Sequence, residues 1–475
     1  MKSRAPAYGC FALLLAGCAA VGPDYERPAV DLPNTYGDPV ANAAGATAAI
    51  DPAWWKLYGD PTLDSLVARA LERNADIRLA VARIEEADAN LREAGAAFLP
   101  QVDLGTTGAR SRISTNTATP LPSAVSTVRN NLRLAVSTSF ELDFWGRLRR
   151  ALEAVRAQAL GTRFAKDVVT LSLAGLISQA YFSLRSLDVQ IALTRETLVV
   201  REETLGIVRS RAAGGIASDL DVNQAVVARA DAATQLRELQ RQRTLVEHQL
   251  GTLAGQLDLT LAHSTTLLEL PVPPTPPPGL PSTLLERRPD VRQAEQQLVS
   301  ANAQIGVARA AMLPTISLTG SYGAESRALS TLLDSGSNIW SLGFGLALPV
   351  FDWGRLAARA DAAQARAQQS LAGYQKAIET AFREVADGLT NLEQTTAAEE
   401  DLQARATAAR NTLRLARARY EAGYSPYLEL LDAQRTANDA ELAVVRNRQN
   451  RLSASVDLMK ALGGGWSAEA PPGVR

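Results

Sequence analysis

The chain has 475 residues, 46% of them hydrophobic, with 49 basic and 50 acidic groups. A net charge near zero argues against a nucleic-acid-binding protein, which usually carries a basic excess or patch. With only two His and two Cys, a cluster of His or Cys metal ligands is almost excluded and Ser–His catalysis has few candidates, so we expect neither an enzyme nor a bound cofactor.

Residues 1–17 have the composition of a bacterial export signal. Lys2 and Arg4 form a basic start, and Phe11–Ala16 is an apolar run too short to span a bilayer. The run continues into the sequence LAGC, which ends at Cys18 and resembles the lipobox of bacterial lipoproteins. The resemblance implies cleavage before Cys18 and a covalent diacylglycerol and N-acyl lipid on that cysteine. Because residue 19 is Ala rather than Asp, it also implies export to the outer membrane. An ordinary signal peptide that happens to contain a cysteine is the alternative.

Beyond the signal, the sequence offers no run of 18 consecutive apolar residues and so predicts no transmembrane helix. Any membrane-spanning part must therefore be made of strands. Cys10 leaves with the signal and Cys18 carries lipid, so we expect no disulfide.

After a lipidated N-terminal segment over 18–60, the chain contains an internal repeat. The sequence LERNADIR at 71–78 returns as LERRPDVR at 285–292, and WGRL at 145–148 returns at 353–356. We predict a first repeat over 61–270 and a second over 282–462. The Pro-rich segment 271–281 would be a stiff extended linker between them, and 463–475 a C-terminal tail.

Each repeat has the pattern of a helix, two strands, a very long helix and another helix. In the first repeat, helices are predicted over about 61–98 and 219–255. The long helices should run over about 147–213 and 355–422, since neither range contains proline and glycines follow both. At 1.5 Å per residue each would be about 100 Å long, which is typical of a coiled-coil assembly.

The segments between these helices alternate between apolar and small or polar residues. The alternation is clearest at 340–348, is present at 316–322 and 132–142, and is weakest at 102–108. About ten residues of such alternation are typical of outer-membrane strands, although a strand of a soluble sandwich has the same period. The export signal, and the long polar loops over 111–128 and 325–338, favour the membrane.

Four strands cannot close a barrel, and an open sheet edge cannot lie in lipid. Several subunits must therefore share one barrel. Two copies would give eight strands, whose interior is filled by side chains, whereas three copies would give twelve and leave a lumen. The small residues Gly343, Gly345 and Ala347 would keep that lumen open, so we predict a trimer.

Four further motifs, together with the lipobox and the repeat, resemble the outer-membrane factor (TolC-like) family. They are GPDYERP at 22–28, DWGR at 352–355, RYEAG at 419–423 and LELLDAQ at 428–434. Within the family the chain is similar to the NodT-type lipoproteins that serve resistance-nodulation-division (RND) pumps. The resemblance covers essentially the whole mature chain.

The resemblance implies a mainly α protein with a membrane β-barrel. A trimeric 12-stranded barrel, with four strands per protomer, would be continued by a long periplasmic α-helical coiled-coil barrel with an equatorial domain. It implies an outer-membrane channel subunit of a tripartite efflux system, a passive conduit that exports small molecules such as drugs and toxic compounds. The implied partners are two further copies, a periplasmic membrane-fusion adaptor and an inner-membrane pump. The exported substrate is not predicted.

The resemblance further implies an iris-like gate at the periplasmic helix tips, here 214–223 and 423–432. Glu429 and Asp432 are three residues apart and so share a helix face. In a trimer they would form two stacked carboxylate rings, which favour cations. Asp221 is the first-repeat equivalent of Glu429. A solvated helix N-terminus, where acidic residues collect, is the alternative reading of both residues.

In TolC-like channels, tip carboxylates and a tyrosine matching Tyr420 help to hold the closed state. Packing at the tip is the alternative role for Tyr420. A basic partner present in some relatives would fall at Ser425 here, and a Ser–carboxylate bond is weaker than a charged pair.

Three other functions are alternatives for this sequence. The channel of a type I protein secretion system would share these features. An enzyme is disfavoured because His248 and His263 lack a nucleophile or metal-ligand pattern, and the GGGW sequence at 463–466 follows a helix without the Lys-Ser/Thr of a phosphate loop. A periplasmic coiled-coil adaptor would explain the long helices but not four alternating strands.

Overall fold

The computed structural model of the protein describes residues 20–30, 33, 51–116, 126–274 and 284–464. The predicted signal over 1–17, the lipidation site Cys18, most of the linker and most of the C-terminal tail lie outside these residues. The predictions made for them, including that for the cysteines, therefore remain predictions.

The described chain is mainly helical, with one four-stranded sheet. A 3₁₀ helix at Trp54–Tyr58 precedes the first helix. The elements that follow are α1 (Pro61–Arg73), α2 (Ala75–Ala96), β1 (Gln101–Arg112), β2 (Val128–Leu142), α3 (Arg147–Ala213), α4 (Asp219–Leu253), α5 (Leu284–Arg287), α6 (Pro289–Ala310), β3 (Thr315–Ser326), β4 (Asn338–Ala347), α7 (Arg355–Glu421) and α8 (Tyr427–Ala461).

The chain forms two compact units. Of the described residues, the first comprises 20–29, 83–116, 126–162 and 294–374 and contains the sheet. The second comprises 30, 33, 51–82, 163–274, 284–293 and 375–464 and contains an extensive hydrophobic core and the turns that follow α3 and α7.

Both long helices confirm the predicted ranges, with 67 residues each. An aspartate precedes each start and accepts hydrogen bonds from the first backbone N–H groups, which have no partner within the helix. Asp143 accepts from the N–H groups of Leu148 and Arg149, both at 3.0 Å. Asp352 accepts from those of Gly354 at 3.1 Å and Leu356 at 2.9 Å.

The single helix predicted over 61–98 is wrong, because the chain forms two helices separated at Asn74. Asn74 has extended backbone angles, and its side chain accepts from Asp76 N–H at 2.7 Å and donates to the Leu253 carbonyl at 2.9 Å. Asn favours such local bonds over a helix interior. The same break separates α5 from α6 at Arg288, which precedes Pro289 and is therefore disfavoured in helical conformation.

The sheet has the strand order β1-β2-β3-β4, with every neighbouring pair antiparallel. The strands are longer than predicted, most clearly β1, which extends to Arg112 instead of ending near Gly108. Its last four residues, 109–112, are Ala, Arg, Ser and Arg and have no apolar alternation. Pairing along its full length with β2, from Gln101↔Ser139 to Arg112↔Val128, nevertheless keeps it extended.

The register gives the sheet two chemically different faces, because directly paired residues point to the same side. The apolar face carries Val102, Leu104, Leu132, Leu134, Val136, Phe140, Leu318, Tyr322, Trp340, Leu342, Phe344 and Leu346. The small-residue face carries Gly105, Ser137, Ser139, Ser317, Thr319, Ser321, Ser341, Gly343, Gly345 and Ala347. Leu342 and Phe344 are 82% and 80% exposed, so nothing within the described chain covers this part of the apolar face.

Among the described residues, one helix is long and apolar enough to cross a membrane by length and composition. It is α3, where an 18-residue window has a mean hydropathy of 1.3. Half of that window is buried inside the protein. Several apolar residues of α3 are buried in the core, among them Leu173, Ile177, Tyr181 and Phe182. The hydropathy of this helix is therefore weak evidence for a transmembrane segment.

The core of the second unit is aromatic and aliphatic. Trp54, Tyr58, Tyr181 and Phe182 are fully buried, and Tyr58 packs on Phe182 with ring centroids 4.9 Å apart. The Tyr58 hydroxyl shares a hydrogen bond of 2.7 Å with Ser455 on α8. Burial, followed by the hydrogen bond to Asp60, raises the pKa of Tyr181 to about 12.

Next to this core lies a buried ionic network centred on Asp188. Its carboxylate accepts from Arg185 at 3.1 Å, from Arg243 at 2.9 Å and from Ser264 N–H at 3.2 Å. The Nδ1 atom of His263 lies 2.7 Å from it. Arg185 and Arg243 also donate to carbonyls at 261–262. The network therefore fixes the segment after α4 onto α3 and α4.

Candidate aperture at the helix ends

The two repeats turn between their last two helices in the same way. After α3, Gly215 adopts φ +69° and Ile216 N–H donates to the Arg211 carbonyl at 2.8 Å. After α7, Gly423 adopts φ +81° and Tyr424 N–H donates to the Arg419 carbonyl at 2.9 Å. This is the Schellman arrangement, in which a left-handed glycine allows the chain to leave the helix and bond back to it. The sequence prediction of glycine helix ends is confirmed.

Asp221 lies in the first turn of α4, where it takes part in a capping box. It accepts from Ser218 N–H at 3.0 Å, while its own N–H donates to Ser218 Oγ at 3.2 Å. Its carboxylate therefore stabilises the start of its own helix.

Glu429, at the equivalent position of α8, has a different environment. The residue before α8 is Pro426, which supplies no side-chain cap. Glu429 pairs instead with Arg419 near the end of α7, at 3.2 Å. The family resemblance implies a basic partner at position 425, where this chain has Ser; the basic residue that lies beside Glu429 in the structure is Arg419 of α7. Both side chains are about half exposed, and an ion pair of this kind contributes about 0–1 kcal/mol.

Asp432 lies one turn further along α8 and pairs with Arg435 at 3.2 Å, with both side chains mostly exposed. Ser425 makes no contact with either carboxylate, and its Oγ is buried without a hydrogen-bond partner among the described residues. Within one chain, Glu429 and Asp432 therefore belong to two separate and weak ion pairs.

Tyr420 is buried in the turn region, with 5% of its surface exposed. Its ring lies 5.9 Å from that of Tyr427, centroid to centroid, within a cluster that also contains Leu205, Val208, Ala225 and Leu430. Burial raises the pKa of the Tyr427 phenol. The contacts of the Tyr420 ring with this cluster are packing contacts, which agrees with the tip-packing alternative.

Arg211, in the last turn of α3, is the residue that sequence reasoning missed. It donates to the carbonyls of Tyr420 at 3.0 Å and Glu421 at 2.9 Å, and its guanidinium lies 4.5 Å from the centre of the Tyr420 ring. These carbonyls end α7 and have no partner within that helix. A basic residue in a last turn is expected to interact with the C-terminal end of its own helix, so no local pattern indicates that Arg211 joins α3 to α7.

Both turns also expose large apolar side chains at equivalent positions. Ile216 and Tyr424 are each 80% exposed, and Leu220 and Leu428 are 65% and 59% exposed. Burying such side chains is favourable. The turns therefore offer two similar apolar surfaces.

A second feature concerns the N-terminal segment of the first unit. Val21 N–H donates to the Trp145 carbonyl at 2.9 Å, and Asn302 donates to the Pro23 carbonyl at 3.0 Å. Arg27 forms a two-point ion pair with Glu295, at 2.7 and 3.0 Å. Residues 21–27 are thereby fastened to α6 and to the junction between β2 and α3. We call residues 20–27 the N-terminal strap. Its first residue, Ala20, follows the proposed lipidation site by two residues.

Comparison with known proteins identifies the family. The family model described as outer membrane efflux protein matches residues 66–256 and 280–464. Outer membrane protein OprJ of Pseudomonas aeruginosa is 38% identical over 468 residues, covering 98% of this chain and 97% of OprJ. The solvent efflux pump outer membrane protein SrpC of Pseudomonas putida is 34% identical over 473 residues, covering 96% and 97%.

Among solved structures, the open state of the MtrE outer membrane channel of Neisseria gonorrhoeae is similar, with a TM-score of 0.82 and 31% identity. The match covers 94% of this chain and 98% of the MtrE chain. None of these three names denotes an enzyme. The chain therefore belongs to the outer membrane efflux protein family and is an outer-membrane channel component of an efflux system.

Proposed function

We propose that the chain forms, as a homotrimer, a 12-stranded β-barrel in the outer membrane, continued by a periplasmic tunnel of α-helices with an equatorial domain. In this role it is the passive exit conduit of a tripartite system with a periplasmic adaptor and an inner-membrane pump of the RND class. The observation that carries the proposal is the sheet, which combines an exposed apolar face with two unpaired edges.

The edges of this sheet are β1 and β4, and in one chain neither has a second neighbour. Unpaired backbone groups cost several kcal/mol each in hydrocarbon, so a sheet in lipid must close. Pairing β1 of one copy with β4 of the next, three times over, removes every edge. The apolar face then meets lipid, and the small-residue face, with Gly343, Gly345 and Ala347, surrounds a lumen.

The turns after α3 and α7 support a gated aperture in which Glu429, Asp432, Asp221 and Tyr420 take part. Three copies would gather Glu429 and Asp432 into carboxylate rings, and their weak ion pairs with Arg419 and Arg435 can break without a large cost. Arg211 would hold the closed tip, since it ties the end of α7 to α3. The open state reported for the MtrE channel is consistent with a gate that moves.

The exposed apolar residues of the turns support docking of the adaptor at this end. Ile216, Leu220, Tyr424 and Leu428 would give a trimer six similar apolar tips. SrpC is named for solvent efflux, and we propose small apolar or amphiphilic compounds as cargo. No observation favours the type I secretion alternative or a coiled-coil adaptor.

The N-terminal strap supports a lipid anchor on Cys18. Cys18 precedes Ala20 by two residues, which span at most about 7 Å. Ala20 lies against Gly146, between β2 and α3, since a Cβ on Gly146 would be 2.5 Å from the Cβ of Ala20. An acyl chain on Cys18 would therefore enter the bilayer where the strands end. Cys18→Ser should abolish lipid labelling, and persistent labelling would refute the lipidation.

The experiment for the conduit is purification followed by reconstitution in planar bilayers. The protein should require detergent, run as a trimer and form conducting pores. A detergent-independent monomer without pore activity would refute the proposal.

The aperture is tested in the same bilayers. Replacing Glu429 and Asp432 together by Ala should weaken cation selectivity or raise conductance. The matched control replaces Glu400 and Asp401, two exposed acidic residues within α7, and should leave both properties unchanged. Wild-type behaviour of the first variant would refute the aperture role of these carboxylates but not the conduit.

A further inference from the structure

The first hairpin, β1 and β2, carries an unusual distribution of charge. Between Asp103 and Glu141 the sequence contains four arginines and no acidic residue; the arginines are Arg110, Arg112, Arg129 and Arg133. All four lie on the strands and are exposed. Within the described residues, neither the Arg110 nor the Arg112 side chain makes an ion pair or a hydrogen bond. The hairpin therefore presents an excess of unneutralised positive charge.

The register divides these arginines between the two faces of the sheet. Arg110 and Arg112 are an even number of residues from Leu104 and pair with Asn130 and Val128, so they lie on the apolar face. Arg129 and Arg133 pair with Ser111 and Thr107 and lie on the small-residue face. Two arginines thus share a face with leucines, phenylalanine and tryptophan.

Their height along the strand shows where this charge would lie in a membrane. Ten residues separate Val102 from Arg112, which is about 33 Å at 3.3 Å per residue. With a strand tilt of about 40°, this corresponds to about 25 Å along the membrane normal, which equals the height of the apolar band of an outer-membrane barrel. Arg112 therefore lies at the upper boundary of the band, with Arg110 just below it and able to extend its guanidinium upward.

We propose that Arg110 and Arg112 bind the phosphate groups of a phosphorylated glycolipid in the outer leaflet of the outer membrane. This inference rests on the proposed function, which places the hairpin tips, the ends remote from the helices, at the outer surface. An arginine guanidinium donates two parallel hydrogen bonds to phosphate and is the side chain best suited to it. On the lipid side of the barrel, charge complementarity favours an anionic headgroup.

A neighbouring protomer is the competing partner for these arginines. The strand that would pair with β1 is β4 of the next copy. The second hairpin, over 315–347, has only Glu325 and Asp334 as acidic residues. Glu325 pairs with Arg133 and so belongs to the small-residue face. Only Asp334, in the connection between β3 and β4, could reach Arg112, and this contact is tested below as an alternative.

The test uses the full-length trimer in phosphatidylcholine nanodiscs that contain either bisphosphorylated lipid A or its dephosphorylated form. Bound glycolipid per trimer is measured by mass spectrometry at increasing salt. An arginine near an anionic surface contributes about a fivefold change in affinity, so R110Q/R112Q should bind the bisphosphorylated lipid about 25-fold less tightly. The control R129Q/R133Q removes the same charge from the other face and should bind as the wild type does.

Four outcomes would overturn the inference. The first is equal retention of both glycolipids by the wild type, and the second is equal loss in the two double variants. The third is a fall in trimer stability, without a change in lipid binding, in both R110Q/R112Q and D334N, which would assign the arginines to the subunit contact. The fourth is displacement of the bound glycolipid by millimolar inorganic phosphate, which would indicate a site for the free ion and count against a lipid site. Pore conductance is measured on every sample, so failure of the conduit itself is seen separately.

Discussion

Arg211→Ala tests the contact that joins the ends of α3 and α7. The substitution removes two hydrogen bonds from a charged donor, at 3.0 and 2.9 Å, and a cation–π contact at 4.5 Å. Hydrogen bonds of charged groups contribute about 1.5–3 kcal/mol each, and a cation–π contact about 0.5–1 kcal/mol. Because Arg211 is only partly buried, water can replace it at the carbonyls. We therefore expect the turn after α7 to open more easily by about 1–2 kcal/mol, a factor of about 5–30.

Amide hydrogen exchange measures this opening directly. The N–H groups of Gly423 and Tyr424 are bonded to the carbonyls of Tyr420 and Arg419 in the closed turn. They should exchange about 5–30-fold faster in R211A, and the variant should open more often in single-channel records. R211K keeps the charge but loses the forked geometry of the guanidinium. Its exchange rates at Gly423 and Tyr424 should therefore lie between those of the wild type and R211A.

The control is Arg209→Ala, two residues earlier in α3, where the side chain is exposed and makes no hydrogen bond or ion pair among the described residues. Its exchange rates should equal those of the wild type. Unchanged exchange at Gly423 and Tyr424 in R211A would refute the assignment of Arg211 as the residue that holds the two helix ends together.

Three further predictions concern the rest of the chain. Asp188→Asn leaves Arg185 buried without a counter-charge and removes one of the two carboxylates paired with buried Arg243, which keeps Glu247 at 2.9 Å. It should lower the free energy of unfolding by about 3–5 kcal/mol in urea, whereas D258N, at an exposed site, should not. Gly306→Ala would place a Cβ 2.7 Å from the Val21 carbonyl oxygen and 2.8 Å from Arg150 Cγ. Because these contacts are too short, residues 20–28 should detach and become cleavable by protease. G95A, with open space around the added Cβ, should not have this effect. The folded state holds the Tyr181 pKa at about 12, above the unfolded value of about 10. The stability that Tyr181 contributes is therefore complete below pH 10 and is lost as the pH rises toward 12; a Y181F variant that keeps the full alkaline loss of stability would contradict this.

Much of the fold was predictable because its signals are local. A helix of 67 residues without proline, closed by glycine, is determined by its own sequence, and both long helices have the expected ranges. Strand alternation also identified the four strands. The error at Asn74 arose because its neighbours are good helix formers, whereas the break depends on a hydrogen bond to Leu253, which is distant in sequence.

The candidate aperture was predictable only in part, for the same reason. Glu429, Asp432 and the tip glycines stand in recognisable motifs, so the sequence located the turn. The partners at this turn lie on other helices. Arg419 of α7 pairs with Glu429 of α8, and Arg211 of α3 donates to the end of α7, about 200 residues further along the chain. No spacing along the chain encodes such contacts.

The two turns begin their following helices differently, and this has a mechanical consequence for a trimer. Ser218 and Asp221 lock the start of α4 with two reciprocal bonds, whereas α8 starts at Pro426 with no side-chain cap. In the proposed ring of three subunits, three rigid helix pairs, α3 with α4, would therefore alternate with three more flexible pairs, α7 with α8. The ring would open with threefold rather than sixfold symmetry, since only the α7–α8 pairs would bend outward.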